Sequence, residues 1–190
     1  MPGEWRPPTL ETPRLILRGV SEADVDAIFE YAHNPNVSRY TLWEAHADRE
    51  TTLQFIREYA KASYLEHSLD PLGMCLKERP EWVIGTIGCR WNKRPNRTME
   101  MGFALGESYW GKGFTAEAAL SVLDYVFAQP DVERVQAHCM IENRASERVM
   151  QKLGMTLEGT LRSALFHRGR FWDLRLYAIL RGEWARVDCN

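Results

Sequence analysis

Thr98-Met-Glu-Met-Gly-Phe-Ala-Leu-Gly-Glu-Ser-Tyr-Trp-Gly-Lys-Gly-Phe-Thr-Ala-Glu-Ala-Ala-Leu-Ser-Val-Leu-Asp-Tyr-Val-Phe-Ala128 reads as strand, glycine turn and helix. Met99, Met101, Phe103 and Leu105 fall two apart, with Glu100, Gly102 and Ala104 between them, which is the period of a strand. Gly111-Lys112-Gly113 permits a tight turn with positive φ and bare backbone N–H groups. From Thr115 the apolar residues take helical spacing: Ala116, Ala119, Leu120, Leu123, Val126 and Phe127. A glycine turn that feeds a helix N-terminus is an anion site, because unpaired N–H groups and the positive end of the helix dipole face the same point. The stretch from residue 110 to 116 is therefore expected to hold a phosphate-bearing ligand.

The rest of the chain is read outward from there. Before it, residues 1–9 carry three prolines and form a loose arm. Arg14-Leu15-Ile16-Leu17-Arg18 is a first strand. Ser21 and Asp24 start a helix in the manner of a capping box, with Val25, Ile28, Phe29 and Ala32 as its apolar stripe, and Asn34-Pro35-Asn36 stops it. Residues 33–47 are irregular and aromatic. Asp48 caps a second helix that turns Leu53, Ile56, Tyr59, Ala60, Ser63 and Tyr64 inward and ends near Asp70-Pro71. Leu72–Lys77 and Trp82–Trp91 form a hairpin around Glu78–Glu81, with a bulge marked by Gly85 or Gly88. Lys93–Arg97 is a solvated turn.

After the central helix, Gln129-Pro130-Asp131 is a stop, and Val135–Ile141 is the next strand. Ala145–Leu153 is a short helix, apolar at Ala145, Val149, Met150 and Leu153, closed by Gly154. Met155–Ser163 and Phe171–Leu180 are two final strands joined at His167–Arg170. The order β-α-α-β-β-β-α-β-α-β-β predicts an α/β architecture, a mixed sheet with helices on both faces.

Composition narrows the function. The chain has 190 residues, of which 45% are hydrophobic and 26% charged, which suits one globular domain with a full core. A net charge of −2 gives no broad nucleic-acid footprint. No apolar run approaches the ~20 residues that a membrane helix needs, and the first residues lack the apolar stretch of a signal peptide. Cys75, Cys89, Cys139 and Cys189 are dispersed and form no C-x-x-C pair, so they read as reduced thiols of a cytoplasmic protein. The histidines form no metal-ligand cluster.

The glycine turn admits more than one reading. Gly111-x-Gly113-x-x-Ala116 fits the dinucleotide pattern G-x-G-x-x-G/A, and Glu142 closes the next strand. Against a nicotinamide-dependent oxidoreductase, five residues separate the strand from the first glycine, and too little chain follows for a second nucleotide-binding half. A phosphate-loop NTPase lacks its G-x-x-x-x-G-K-[ST]. A plain strand-to-helix connection is the remaining structural reading.

A second motif decides among them: Glu142-Asn143-Arg144-Ala145-Ser146-x-x-Val149-Met150-x-Lys152-Leu153-Gly154-Met155. Together the two stretches resemble the GNAT N-acetyltransferases, and most of all the branch that includes the ribosomal-protein-alanine N-acetyltransferases. That family's acetyl-CoA loop, Gln/Arg-x-x-Gly-x-Gly/Ala, falls on Trp110-Gly111-Lys112-Gly113-Phe114-Thr115, with Trp and Thr at the two ends. Thr12-Pro13-Arg14-Leu15-Ile16-Leu17-Arg18 resembles the branch's first strand, and Leu157-Glu158-Gly159 and Arg170-Phe171-Trp172-Asp173 its closing strands. The likeness runs from about residue 10 to 184 and implies a single domain there, followed by a tail from 185 to 190. It implies a mixed, mostly antiparallel sheet of about seven strands, with a splay between two central parallel strands, Met99–Leu105 and Val135–Ile141.

The resemblance also implies roles. Acetyl-CoA is the co-substrate and no metal is used. Trp110, Gly111, Lys112, Gly113, Phe114 and Thr115 hold the pyrophosphate. Phe103, Ala104 and Leu105 bond the pantetheine arm as they would a peptide strand, together with Asn143 and Ser146. Asn143 and Ser146 have an alternative role, capping the short helix. The acceptor is a primary amine, and only its neutral form attacks the thioester. A chain-terminal amine, with a pKa of about 7.7–8.0 against about 10.4 for lysine, is already partly neutral near pH 7. Glu100 and His138 stand where family members carry a base; a salt-bridged carboxylate and a core histidine are the plain alternatives. Ser146 is placed to serve the departing thiolate, and the Leu105 N–H the oxyanion. Tyr40 and Trp43 in the first inter-helix loop, and Phe166 and Trp172 in the last hairpin, are candidates for acceptor binding. A non-catalytic acyl-CoA-binding module is the competing function. Membrane and nucleic-acid partners are not expected; monomer and homodimer both remain open.

Overall fold

Residues 5–187 are described by a computed structural model. The strands are β1 (Leu10–Glu11), β2 (Leu15–Gly19), β3 (Leu72–Leu76), β4 (Arg79–Lys93), β5 (Thr98–Leu105), β6 (Arg134–Met140), β7 (Thr156–His167) and β8 (Arg170–Leu180). The helices are α1 (Val25–Ala32), α2 (Pro35–Ser38), α3 (Arg49–Gln54), α4 (Lys61–Leu65), α5 (Phe114–Ala128), α6 (Arg144–Lys152) and α7 (Arg181–Val187). The eight strands form a mixed sheet in the order β1-β2-β3-β4-β5-β6-β8-β7. By contact the chain divides into two compact units: the chain up to Arg90 with Gly102–Val122, and Trp91–Met101 with the chain from Leu123 onward.

In the first unit β1, β2, β3 and β4 pair antiparallel in succession. Leu15 and Leu17 alternate inward along β2 and are fully buried, each contributing about 1.5–3 kcal/mol. The Asp24 carboxylate accepts from the Ser21 N–H at 2.8 Å, as the capping-box reading anticipates. Ala27, Ile28, Tyr31 and Ala32 of α1 pack with Val37, Ile56, Ala60, Cys75 and Val83. The bulge falls where the glycines point: Met74 pairs with Gly85 but Cys75 with Val83, leaving Ile84 unopposed. A Cβ on Gly85 would sit 2.4 Å from the Ala104 carbonyl oxygen and 2.8 Å from the Leu105 Cα. Backbone lies against backbone there, and no larger residue fits.

Several local expectations change. Asn34-Pro35-Asn36 does not only stop α1. Pro35 opens α2, and the Asn34 side chain accepts from the Asn36 N–H at 2.9 Å. Asp48 caps α3 through the Thr51 N–H at 2.8 Å, but Phe55–Ala60 then widens into a π-turn. That turn shifts the register, so Thr52, Ile56 and Ala60 are buried while Tyr59 faces outward and donates to Asp70 at 2.5 Å. Along α5 the buried rows are Phe114, Ala118, Val122 and Val126 beside Thr115, Ala119, Leu123 and Phe127. Leu120, read as inward, lies off both rows and is 39% exposed.

In the second unit β5 and β6 run parallel, with Thr98, Met99 and Glu100 opposite Arg134, Val135 and Gln136. β8 pairs antiparallel with β6 on one side and β7 on the other. The β7–β8 turn is tighter than the four residues expected: only Arg168 and Gly169, with φ of 51° and 73°, separate the paired His167 and Arg170. Ala145 is exposed on α6, whose buried side is Glu147, Met150 and Leu153. α7 has no counterpart in the sequence reading. It is held by Trp184, whose indole donates to Asp124 at 3.1 Å and stacks on Phe127.

Candidate active site

The glycine turn has the shape its sequence requires. Gly111 and Gly113 have φ of 75° and 82°, a region that L-residues enter at a cost of roughly 1–2 kcal/mol. A 3-10 turn, Glu107–Tyr109, leads into it. Phe114, the first residue of α5, is buried, and Thr115 beside it is buried as well. The first N–H groups of α5 have no intrahelical partner and project from the turn along the positive end of the helix. Trp110, standing at one end of the loop, is 46% exposed, and its indole N–H donates to the Leu105 carbonyl at 2.7 Å. The turn is thereby tied back to the end of β5. Lys112 keeps its ammonium 5.6 Å from the Tyr109 ring.

On the α1 side, Glu107 accepts from the side chains of Asn34 at 2.7 Å and Asn36 at 3.0 Å. These bonds hold its carboxyl below the usual range. The clamp joins the first inter-helix loop to the approach of the anion turn. A cavity of about 240 Å³ lies beside it, with Glu30, Tyr31, Asn34, Trp82, Glu107 and Tyr109 in its wall. Carboxylates next to aromatic faces suit a cation on an apolar body. The sequence reading did not single out Glu30, Tyr31, Trp82 or Glu107. Nor did it find Thr12, Arg14 and Glu117 as neighbours of the turn, where Arg14 donates to the Lys112 carbonyl at 3.0 Å.

In the second unit Glu100 and His138, proposed separately as bases, are partners: the carboxylate lies 3.3 Å from His138 Nδ1. The Asn92 amide donates to the other Glu100 oxygen. Both side chains are about a quarter exposed, which suits a proton relay open to water. The Asn143 side chain caps α6, accepting from the Ser146 N–H at 3.1 Å, so the capping role is present. Ser146 sits at the start of the helix and is half-buried. Behind it, Glu147 is buried and bonded to Arg144 at 2.8 Å, Tyr177 at 2.8 Å and Arg175.

The acceptor candidates differ in exposure. Tyr40 is half-buried under the Arg39 guanidinium, and Trp43 packs on His46 and the α1 core. Phe166 is 64% exposed, edge to face with Phe171. Trp172 is 8% exposed, bonded to the His167 carbonyl at 2.8 Å and covered by Arg170, so it packs the hairpin. Cys75, Cys89 and Cys139 are buried thiols outside any disulfide; Cys189 lies outside the described residues. Among the described residues no group of His, Cys, Asp and Glu is arranged to hold a metal, and no helix is long and apolar enough to cross a membrane.

A family model described as the acetyltransferase (GNAT) domain matches residues 14–156. The chain belongs to the GNAT acetyltransferase family. An uncharacterized N-acetyltransferase, p20 of Bacillus licheniformis, is 32% identical over 93% of this chain and 98% of its own length. The crystal structure of a GNAT-family acetyltransferase from Bacillus anthracis is 29% identical, covers 93% of this chain and all of its own, and superposes with a TM-score of 0.82. More distantly, the ribosomal-protein-serine acetyltransferase of Escherichia coli is 26% identical over 64% of this chain and 68% of its own. As a GNAT protein this is an acetyl-CoA-dependent N-acetyltransferase, with acetyl-CoA as its co-substrate. The family membership excludes the oxidoreductase reading of the glycine turn.

Proposed function

We propose that the enzyme transfers the acetyl group of acetyl-CoA directly to a primary amine at the N-terminus of a protein or peptide, or on a small amine or amino acid. The observation that carries the cofactor half is the pair of left-handed glycines opening onto the first turn of α5. In this reading the N–H groups of residues 111–115 hold the pyrophosphate, and Phe103, Ala104 and Leu105 with Asn143 bond the pantetheine arm. The parallel ladder of β5 with β6 covers Thr98–Glu100 and ends before Met101 and Ala137; this supports a pantetheine path beyond it.

The amine nitrogen attacks the thioester carbon, the tetrahedral oxyanion collapses, and the C–S bond breaks to give amide and CoA thiolate. The Leu105 N–H serves the oxyanion. Glu100, with His138 behind it, takes the amine proton through water, and Ser146 donates a hydrogen bond or proton to the sulfur. For the acceptor, the acidic, aromatic-walled cavity at Glu30, Tyr31 and Trp82 supports an ammonium-bearing ligand. Tyr40, Trp43 and Phe166 are the side chains proposed to contact the acceptor. The name of the Escherichia coli relative, a ribosomal-protein-serine acetyltransferase, favours a protein acceptor. Buried reduced thiols favour a cytoplasmic setting.

A panel of N-terminal peptides, lysine peptides and small amines, read by free-thiol release, tests this. N-terminal acceptors are expected to give the highest kcat/KM. Acetyl-CoA binding without thiol release across the panel would assign a non-catalytic acyl-CoA module instead.

A further inference from the structure

We infer that Thr12, Arg14 and Glu117 form a brace that fixes the anion turn before the cofactor arrives, which makes Arg14 a positioning residue. This rests on the assignment of the turn to the pyrophosphate. The motif Thr12-Pro13-Arg14 has no part in the chemistry above, yet its side chains converge on the turn. Arg14 Nη1 donates to the Lys112 carbonyl at 3.0 Å. Its Nε and Nη2 both reach Glu117 Oε2 at 2.6 Å. The Arg14 N–H and the Thr12 hydroxyl reach the other Glu117 oxygen at 2.9 and 2.6 Å. The guanidinium lies 4.4 Å from the centre of the buried Phe114 ring. Thr12 is itself fixed, accepting from the Leu15 N–H at 2.9 Å.

The physical consequence follows from peptide geometry. In a trans peptide C=O and N–H point in opposite directions. Holding the Lys112 carbonyl toward Arg14 therefore aims the Gly113 N–H away from it, out of the turn. Two glycines flanking a single residue are costly to order, and a brace supplies that ordering in advance, so less of the ligand's binding energy is spent on it. Each of the three guanidinium nitrogens has a partner in Lys112 or Glu117, which fixes the side chain beside the turn. The brace also answers a charge problem. Glu117 is a carboxylate in the first turn of α5, one turn from the anion. Against the upward push of partial burial, bonds from Thr12 and Arg14 hold it below the usual carboxyl range, and Arg14 cancels its charge.

Titration calorimetry of CoA into the wild type, Glu117→Gln, Arg14→Lys and the double variant tests the brace, with Tm recorded for each. Coulomb repulsion alone predicts tighter binding for Glu117→Gln, since a negative charge leaves the neighbourhood of the phosphates. The brace predicts the reverse: roughly tenfold weaker binding, about 1.4 kcal/mol, with the rise appearing in KM for acetyl-CoA and not in kcat. The double variant is expected to be no weaker than the worse single one, because both break the same unit. Unchanged or tighter binding by Glu117→Gln overturns the inference. Gly113→Pro separates the two levels, because it removes an N–H and cannot adopt positive φ. If it loses CoA while Glu117→Gln does not, only the brace falls; if it too binds normally, the assignment of the turn falls.

Discussion

Gly111 shows how one residue's conformational freedom becomes a binding property. A Cβ there would meet nothing within 4 Å, so the cost of a side chain is backbone strain and not crowding. Gly111→Ala is expected to cost about 1–2 kcal/mol, seen as a lower Tm and a raised KM for acetyl-CoA. At Ser146 the prediction divides by role. Ser146→Ala keeps the N–H that Asn143 caps, so CoA affinity should stay while kcat falls about tenfold or more; an intact kcat in a stopped-flow assay would leave Ser146 a helix-start residue only. Glu117 gives a pH prediction. Its folded carboxyl titrates below its ordinary value of 4.5. The ionised brace is therefore fully present above that pH and is lost as pH falls through the lower, folded value. CoA affinity should be insensitive to this group near neutral pH and weaken in acid, more so in the wild type than in Glu117→Gln. The residues legible in the sequence, Gly111, Gly113, Asn143 and Ser146, are those whose chemistry demands a residue type at short spacing. The Arg14–Glu117 pair spans 103 positions, and no local pattern announces such a partner.

Among the elements, α6 is the one whose anchoring the sequence misrepresents. Its apolar stripe suggested that Ala145 packs inward, but the helix turns Glu147 to the inside. A buried carboxylate is tolerated because Arg144, Arg175 and Tyr177 complete its bonding. Glu147→Ala leaves those cations without their counter-charge. It is expected to cost about 3 kcal/mol, a fall in Tm of about 6–12 °C, with the loss of activity following the loss of the helix that carries Asn143 and Ser146. A Tm shift under one or two degrees in differential scanning calorimetry would contradict it. The same limit explains Tyr59, where a π-turn changes the helical period, and Leu120, which lies between two rows that a single-stripe reading merges. Strands fared better, since alternation survives small errors of boundary: β2, β5, β6 and β8 lie within a residue or so of their expected ranges.

Across the whole chain the order of elements was legible because strand and helix periods differ and the breaks carry Gly, Pro, Asn or Asp. The additional strand, β1, is two residues long, too short to show a period, and α7 begins with Arg181-Gly182, which reads as an ending. A ligand that binds the folded state and not the unfolded chain stabilises the fold by mass action. CoA at 100 times its Kd is expected to add about 2.7 kcal/mol, raising Tm by about 5–11 °C. The most direct test of the central claim, that bare amides of the glycine turn hold the pyrophosphate, is an amide ¹H–¹⁵N titration with CoA. The account predicts that the resonances of Gly111, Lys112, Gly113, Phe114 and Thr115 move furthest and saturate together with the calorimetric Kd. Saturable CoA binding that leaves those five amides in place would contradict it.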